Sequence, residues 1–161
     1  MDMDNYTGPH RFNMPAWISC APFEKLLAME IVSAEAGVAI LKMPFYQTLA
    51  QGAGLMHGGA LVSLADTAVV MAIKSIVAPG THFATISMAS RFHHPVKQGV
   101  LLAKAAVTER QGTILKGGCD IFDDAGRVVM TFASVFKIAK DADIQGIQFG
   151  QANGPSDNGG S

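Results

Sequence analysis

Twenty residues from Gly58 to Val77, GGALVSLADTAVVMAIKSIV, constrain this chain more than any other stretch. Leu61, Leu64, Ala65, Ala68, Met71, Ala72 and Ser75 recur at i, i+3, i+4 spacing and lie on one small-residue face of a helix. The opposite side is also apolar, with Val62, Val70, Ile73 and Val77, and only Ser63, Thr67 and Lys74 form a narrow polar strip. A helix apolar nearly all round is a buried one. The length would suit a membrane span. However, Asp66 near the middle and Lys74 toward the end would each cost roughly 2.5–3.5 kcal/mol at the bilayer centre, and no second apolar span accompanies them. The stretch therefore predicts a helix wrapped by other parts of a soluble domain.

The candidate wrapper flanks it. A short helix near Pro22–Leu27 precedes strands at Met29–Ala34 and Val38–Met43, joined by a turn at Glu35-Ala36-Gly37. After the helix, His82–His94 alternates, with Ile86, Met88 and Phe92 expected on one face and Thr85, Ser87 and Arg91 on the other. Strands at Val100–Glu109, Thr113–Phe122 and Arg127–Ile138 follow, separated by Gln111-Gly112 and Asp123–Gly126. Tight turns between consecutive strands mean antiparallel pairing. The expected class is α+β, a curved antiparallel sheet around one long helix. One sheet leaves a face and two edges open, which pairing between subunits would cover.

At 161 residues one domain is expected, spanning 14–140, with a flexible arm at 1–13 and a disordered Gly/Ser/Asn-rich tail at 141–161. The formal net charge of −1 argues against a nucleic-acid binder. Cys20 and Cys119 are far apart and read as thiols in a reducing, cytoplasmic setting. No basic segment followed by an apolar run opens the chain. Neither a phosphate loop, nor a dinucleotide fingerprint, nor a metal-ligand cluster is legible, so no cofactor or metal is expected.

Chemistry concentrates in Gln51–Thr67, QGAGLMHGGALVSLADT. Gly58 and Gly59 open the first turn of the helix, where backbone N–H groups lack intrahelical acceptors and sit at the positive end of the dipole. They can hold a carbonyl oxygen or a developing oxyanion, or they can simply permit close packing on the sheet. Asp66 is a carboxylate on a helix that should be buried, which marks either a functional group or a hydrogen-bonded interface residue. His57 and Asp66 are nine residues apart, about 13.5 Å along a helix. One chain's acid cannot reach its own helix mouth, so if both features are catalytic, Asp66 of one subunit faces Gly58 of another.

HGGALVSLADTA resembles the signature of the PaaI-type hotdog-fold acyl-CoA thioesterases, in which HGG opens the central helix and an acid follows nine residues after the His. The resemblance spans roughly residues 22–138 and includes Gly54 three before the His, Pro44 after the second strand, and the F-x-x-P ending Phe92–Pro95. It implies hydrolysis of an acyl-CoA at the interface of an obligate homodimer, commonly doubled into a homotetramer, without nucleic acid or membrane partners. Carried over, Gly58 polarises the thioester carbonyl, Asp66 acts as general base or nucleophile, His57 positions substrate or departing thiolate, and Thr85 steadies the water or the Asp. Many members place Asn six residues before the His; Gln51 stands there in this chain. Gln51 keeps the amide but is one methylene longer.

Other residues read more plainly. His93 and His94 are adjacent on a strand, point to opposite faces and suit structural or surface roles. Arg91 and Lys97 are candidates for coenzyme A phosphates. Gly59, Phe83 and Phe92 are assigned to substrate binding, and Phe23, Phe45 and Tyr46 to a pocket for an aromatic or medium-length acyl group. Two rival functions stay open: a non-catalytic acyl-CoA or fatty-acyl binding module, kept alive by Gln51, and a hotdog hydratase or dehydratase, for which no matched His/acid pair is seen.

Overall fold

A computed structural model describes residues 8–139, together with Tyr6 and the backbone of 143–144 and 147–148. The elements run α1 (Pro22–Leu26), β1 (Glu30–Glu35), β2 (Val38–Pro44), α2 (Gly58–Lys74), β3 (Phe83–Phe92), β4 (Val100–Gln111), β5 (Ile114–Phe122) and β6 (Val128–Ile138). A single 3-10 turn, Gln47–Leu49, interrupts the loop before α2. Beyond β6, β7 (Asp143–Ile144) pairs with β8 (Ile147–Gln148) inside the tail read as disordered, most of which lies outside the described residues.

The six longer strands form one antiparallel sheet in the order β1-β2-β4-β5-β6-β3. Ala36 and Gly37 make the β1–β2 turn with φ of 50° and 81°, the left-handed pair that lets two strands reverse without splaying. The strand after the helix does not join the strand before it. β3 instead lies at the far edge beside β6, so α2 crosses the inner face of the sheet on its way there.

That crossing buries the helix. Leu64, Ala65, Ala68, Val69, Ala72 and Ile73 are 0% exposed. They belong to one core with Leu41 and Met43 of β2, Leu101 and Ala103 of β4, Leu115 and Ile121 of β5, and Met130 and Phe136 of β6. Each large side chain so buried contributes about 1.5–3 kcal/mol. Small residues set the approach. A Cβ on Gly117 of β5 would collide with Cγ1 of Val69, so the helix sits where it does only because this strand position is bare. Cys119, on the same strand face, is a packing group; burial pushes its thiol up to about 12, so it stays protonated.

The helix is shorter and its polar strip narrower than the sequence pattern predicts. Thr67 is 7% exposed, within the core rather than on a solvated strip. The helix ends at Lys74, not Val77, because Ser75 caps it. Ser75 Oγ donates to the Ala72 carbonyl (2.6 Å) and accepts from the Gly37 N–H (2.8 Å), tying the helix end to the β1–β2 turn. Trp17 adds a second tie. Its indole N–H donates to the Lys74 carbonyl (2.9 Å), Lys74 Nζ donates to the Trp17 carbonyl (3.0 Å), and that ammonium sits 4.8 Å from the ring centroid. Burial lowers the Lys74 pKa, with Glu24 opposing part of the shift. Among the described residues no helix is long and apolar enough to cross a membrane.

The two adjacent glycines of β5 should therefore behave differently. Gly117→Val is expected to destabilise the subunit by roughly 1–3 kcal/mol or more through overpacking against Val69. Gly118→Ala, whose added Cβ would meet nothing nearer than the Phe132 carbonyl at 3.5 Å, should leave subunit stability intact. Thermal denaturation of the two variants checks the contrast.

Candidate active site

The mouth of α2 is built by His57. It is the helix N-cap, and its Nδ1 accepts a hydrogen bond from the Gly59 N–H (2.8 Å). The same residue's carbonyl accepts from Ala60 (3.0 Å) and Leu61 (3.4 Å). Three of the four first-turn donors are thereby committed within the chain, and the Gly58 N–H is the one left for a ligand. This divides the two glycines, which the sequence treats as a pair. A Cβ on Gly59 would stand 2.9 Å from His57 Nδ1, so Gly59 is bare to let the cap form. Its N–H is spent on His57 rather than offered to substrate, which removes Gly59 from the substrate-binding set. Since Nδ1 accepts, His57 carries its proton on Nε2, leaving that N–H as a donor at the mouth.

Beside Gly58 lies a groove of about 390 Å³ lined by Gln51, Leu55, Gly58, Leu61, Phe92 and His94 among others. The Phe92 ring packs against Gly58; a Cβ there would lie 3.2 Å from its Cζ. Gln51 is held by its own loop: its carbonyl accepts from Gly54 (2.8 Å), its N–H donates to the Leu55 carbonyl (2.8 Å), and its side-chain oxygen accepts from the Ala53 N–H. The oxygen being occupied, the NH2 end is the part of the Gln51 amide available to a carbonyl in the groove. Sequence reasoning gave His93 and His94 only surface roles. Both line the groove, and His93 Nε2 also lies 3.0 Å from Thr131 Oγ1. The F-x-x-P ending was the signal available: the His93 and His94 N–H groups both donate to the Val129 carbonyl (2.8 and 3.3 Å), and past Pro95 the Val96 carbonyl accepts from the Met56 N–H (3.0 Å).

Asp66 forms a separate centre further down the helix. Thr85 Oγ1 donates to Asp66 Oδ1 (3.1 Å) and lies 3.4 Å from Oδ2. Strict alternation along β3 would have turned Thr85 away from Phe92. A β-bulge between Thr85 and Ser87 corrects the phase: Thr85 pairs with Phe136, Met88 with Ser134 and Phe92 with Met130, and all three partners are buried on the helix side. The extra residue of a bulge re-aims the side chains that follow it, so Thr85, Met88 and Phe92 share one face. Burial raises the Asp66 pKa, and the Thr85 hydrogen bond opposes the rise.

Phe83 belongs to this second centre. It meets the buried Phe136 edge-on, ring centroids 6.0 Å apart, and nine strand residues separate it from Phe92, roughly 30 Å. Phe83 and Phe92 of one subunit therefore do not line one pocket. Arg91 belongs to neither centre: it pairs with Thr131, and the pleat turns it to the sheet face opposite Phe92 and Gly58. Lys97 lies closer, lining a cavity with Gln51, Phe45 and Gly99. Among the described residues no group of three His, Cys, Asp or Glu side chains is placed to hold a metal ion.

Residues 53–130, which include the helix mouth, Asp66, Thr85 and most of the sheet, match the family model described as "Thioesterase superfamily". That match covers just under half of the chain. It has the hotdog fold, and the solved structures around it agree. A conserved Pseudomonas aeruginosa protein is 23% identical, with a TM-score of 0.73 over 76% of this chain and 97% of that one. The E. coli PaaI protein of the phenylacetic acid degradation operon is 25% identical, with a TM-score of 0.68 over 74% and 85%. A Haemophilus influenzae thioesterase is 20% identical, with a TM-score of 0.69 over 73% and 82%. Among curated proteins none matches significantly.

The His57 cap and the bare Gly59 should be coupled energetically. His57→Ala is expected to cost about 1 kcal/mol, the usual loss of an N-cap. Gly59→Ala should destabilise the wild type but not the His57→Ala background, where the collision with Nδ1 is gone. A double-mutant cycle by denaturant unfolding measures that coupling.

Proposed function

We propose that the protein hydrolyses an acyl-CoA, or a related acyl thioester, to a free acid and a thiol at a site shared by two subunits. The observation that carries this reading is the separation of the two centres. The open Gly58 N–H and the Asp66 carboxylate sit eight residues apart on one straight helix, about 12 Å, too far for one subunit to bring both to a single carbonyl. β3 offers the means of joining them. It is an edge strand, and Ile86, Met88 and Phe92 along it are 56%, 49% and 52% exposed, an open apolar edge that invites a partner strand. Antiparallel pairing of two β3 strands about a two-fold axis near Met88 sets Thr85 of one subunit across from Phe92 of the other. Asp66 then faces the groove beside the partner's Gly58.

In that geometry the chemistry balances simply. The thioester carbonyl accepts from the Gly58 N–H, with the Gln51 NH2 and His57 Nε2–H as further donors at the mouth. Asp66 removes a proton from water as the water oxygen attacks the carbonyl carbon, or it attacks directly as nucleophile and displaces the thiolate to leave a mixed anhydride, which a water then hydrolyses to the free acid and the regenerated carboxylate. The tetrahedral oxyanion leans on the helix amide. The C–S bond then breaks, the acid is released, and the thiolate takes up the proton. Thr85 keeps the carboxylate oriented and favours its ionised form. Phe92 packs beside the reacting carbonyl.

The decisive assay is a panel of short, medium, long and aromatic acyl-CoAs turned over by wild type and Asp66→Ala. Wild type should hydrolyse at least one, and Asp66→Ala and Asp66→Asn should lower kcat by at least about 100-fold, the usual loss of an acid–base group. Equal turnover by wild type and Asp66→Ala on every substrate would remove the enzymatic reading. Because burial disfavours the charge, the folded-state Asp66 pKa is raised and the ionised form is destabilising above it, so Asp66→Asn should be at least as stable as wild type at neutral pH. Thr85→Val removes a hydrogen bond that lowers the Asp66 pKa. The acid limb of kcat/KM should therefore move to higher pH in that variant, which a pH–rate profile records.

A further inference from the structure

Three imidazoles meet at the helix mouth, and they differ in what their ring nitrogens are free to do. His57 caps α2 through Nδ1, which accepts from the Gly59 N–H at 2.8 Å. That nitrogen can take up a proton only by losing the cap, and Nε2–H can give one up only by leaving an imidazolate. His57 is therefore a fixed donor and not a carrier of protons. His93 Nε2 lies 3.0 Å from Thr131 Oγ1, so one of its nitrogens is engaged as well. His94 is different. Its side chain is exposed and lines the groove with Gly58 and Gln51, and among the described residues neither of its ring nitrogens has a partner. Its backbone is nevertheless held, by its N–H on the Val129 carbonyl (3.3 Å) and, two residues on, by the Val96 carbonyl accepting from Met56 (3.0 Å). The same loop continues to Lys97, which lines a second cavity of about 560 Å³ with Gln47, Gln51 and Gln98. Gln51 borders both spaces, so the groove adjoins a cavity of amides and one cation that suits a polar thiol arm. An arm running from a carbonyl at Gly58 to Lys97 follows this loop, and the atom it brings nearest the carbonyl is the sulfur.

We infer that His94 is the general acid that protonates the departing sulfur. The role rests on the thioester hydrolysis proposed above, and it is the same whether Asp66 activates water or attacks the carbonyl itself. As the C–S bond breaks, its electron pair goes to sulfur. The imidazolium N–H of His94 supplies the proton, which leaves a neutral thiol and a neutral imidazole. The water consumed leaves its OH on the acyl carbon, and its other proton returns to His94 through Asp66 or solvent. Both groups end as they began. An alkyl thiol of the cysteine kind has a pKa of about 8.5, so its thiolate is basic enough to add back to the carbonyl unless it is protonated as it leaves. Histidine changes charge near neutral pH, which lets it give a proton there and recover one afterwards. Of the imidazoles at this mouth, His94 alone has both nitrogens free for that cycle.

Two thioesters of one acid test the assignment. One carries coenzyme A, an alkyl thiol, and the other a nitrothiophenol, whose far more acidic sulfur leaves without help. His94→Gln should lower kcat at least about 10-fold on the coenzyme A ester and stay within about twofold of wild type on the nitrothiophenyl ester. His94→Asn should repeat the pattern, and keeps the test decisive if the first variant fails to fold. His57→Gln, which alters a donor to the carbonyl, should slow both esters alike. An equal loss on the two esters in the His94 variants, or no loss on either, would overturn the acid role. Asp66→Ala, inactive on both esters, would in that case leave the shared site standing. Wild type inert toward every thioester would overturn both readings.

Discussion

The structure depends on burying an apolar helix under a sheet by a single crossing. Once α2 lies on the inner face, its residues divide by position along the axis rather than by face. The N-terminal turn opens at one end of the sheet through the bare Gly58, the C-terminal turn is fastened by Ser75 and Trp17 at the other, and the middle carries the core. Asp66 sits where this burial is incomplete, half covered and beside the outermost strand. Its charge is tolerated because one hydroxyl reaches it and because β3 leaves its far side open. Desolvation without full burial gives the carboxylate both a raised proton affinity and access to a ligand.

On the proposed reading, the same crossing makes one subunit chemically half a site. The amide and the acid ride on one rigid rod, and a rod cannot fold back on itself. Separating them by eight residues fixes their distance whatever the loops do, which is why the proposed site draws on a second rod running the opposite way. An exposed edge strand ten residues long, with apolar side chains on its helix-facing side, is otherwise a liability for a soluble chain. The proposed pairing would remove that liability and complete the site in one step.

Much of this was legible in the residues, for reasons that can be stated. The helix was visible because apolar groups fill all its sides, and the hairpins because their turns carry Gly37, Gly112 and Gly126. Asp66 stood out as an acid where no acid belongs. What could not be read depends on phase and on partnership. A bulge costs one residue and leaves no composition signal, so the alternation of β3 reversed Thr85 relative to Phe92. Gly58 and Gly59 look interchangeable as letters, and only the direction of the His57 ring separates the open amide from the capped one. Trp17 was passed over because it stands outside every periodic segment, although it fastens the helix end through both a donor and an acceptor. Arg91 was drawn toward phosphate by its charge alone, whereas the pleat sends it to the other face.

The two faces of the sheet illustrate how one strand can meet different demands at neighbouring positions. Gly117 and Gly118 are adjacent and both lack a side chain, but the first is bare because Val69 descends on it. The second has room above it that the subunit does not use. Side chains alternate across a strand, so these two positions report on opposite sides of the protein: one on the helix that the chain supplies, the other on whatever meets the outer face.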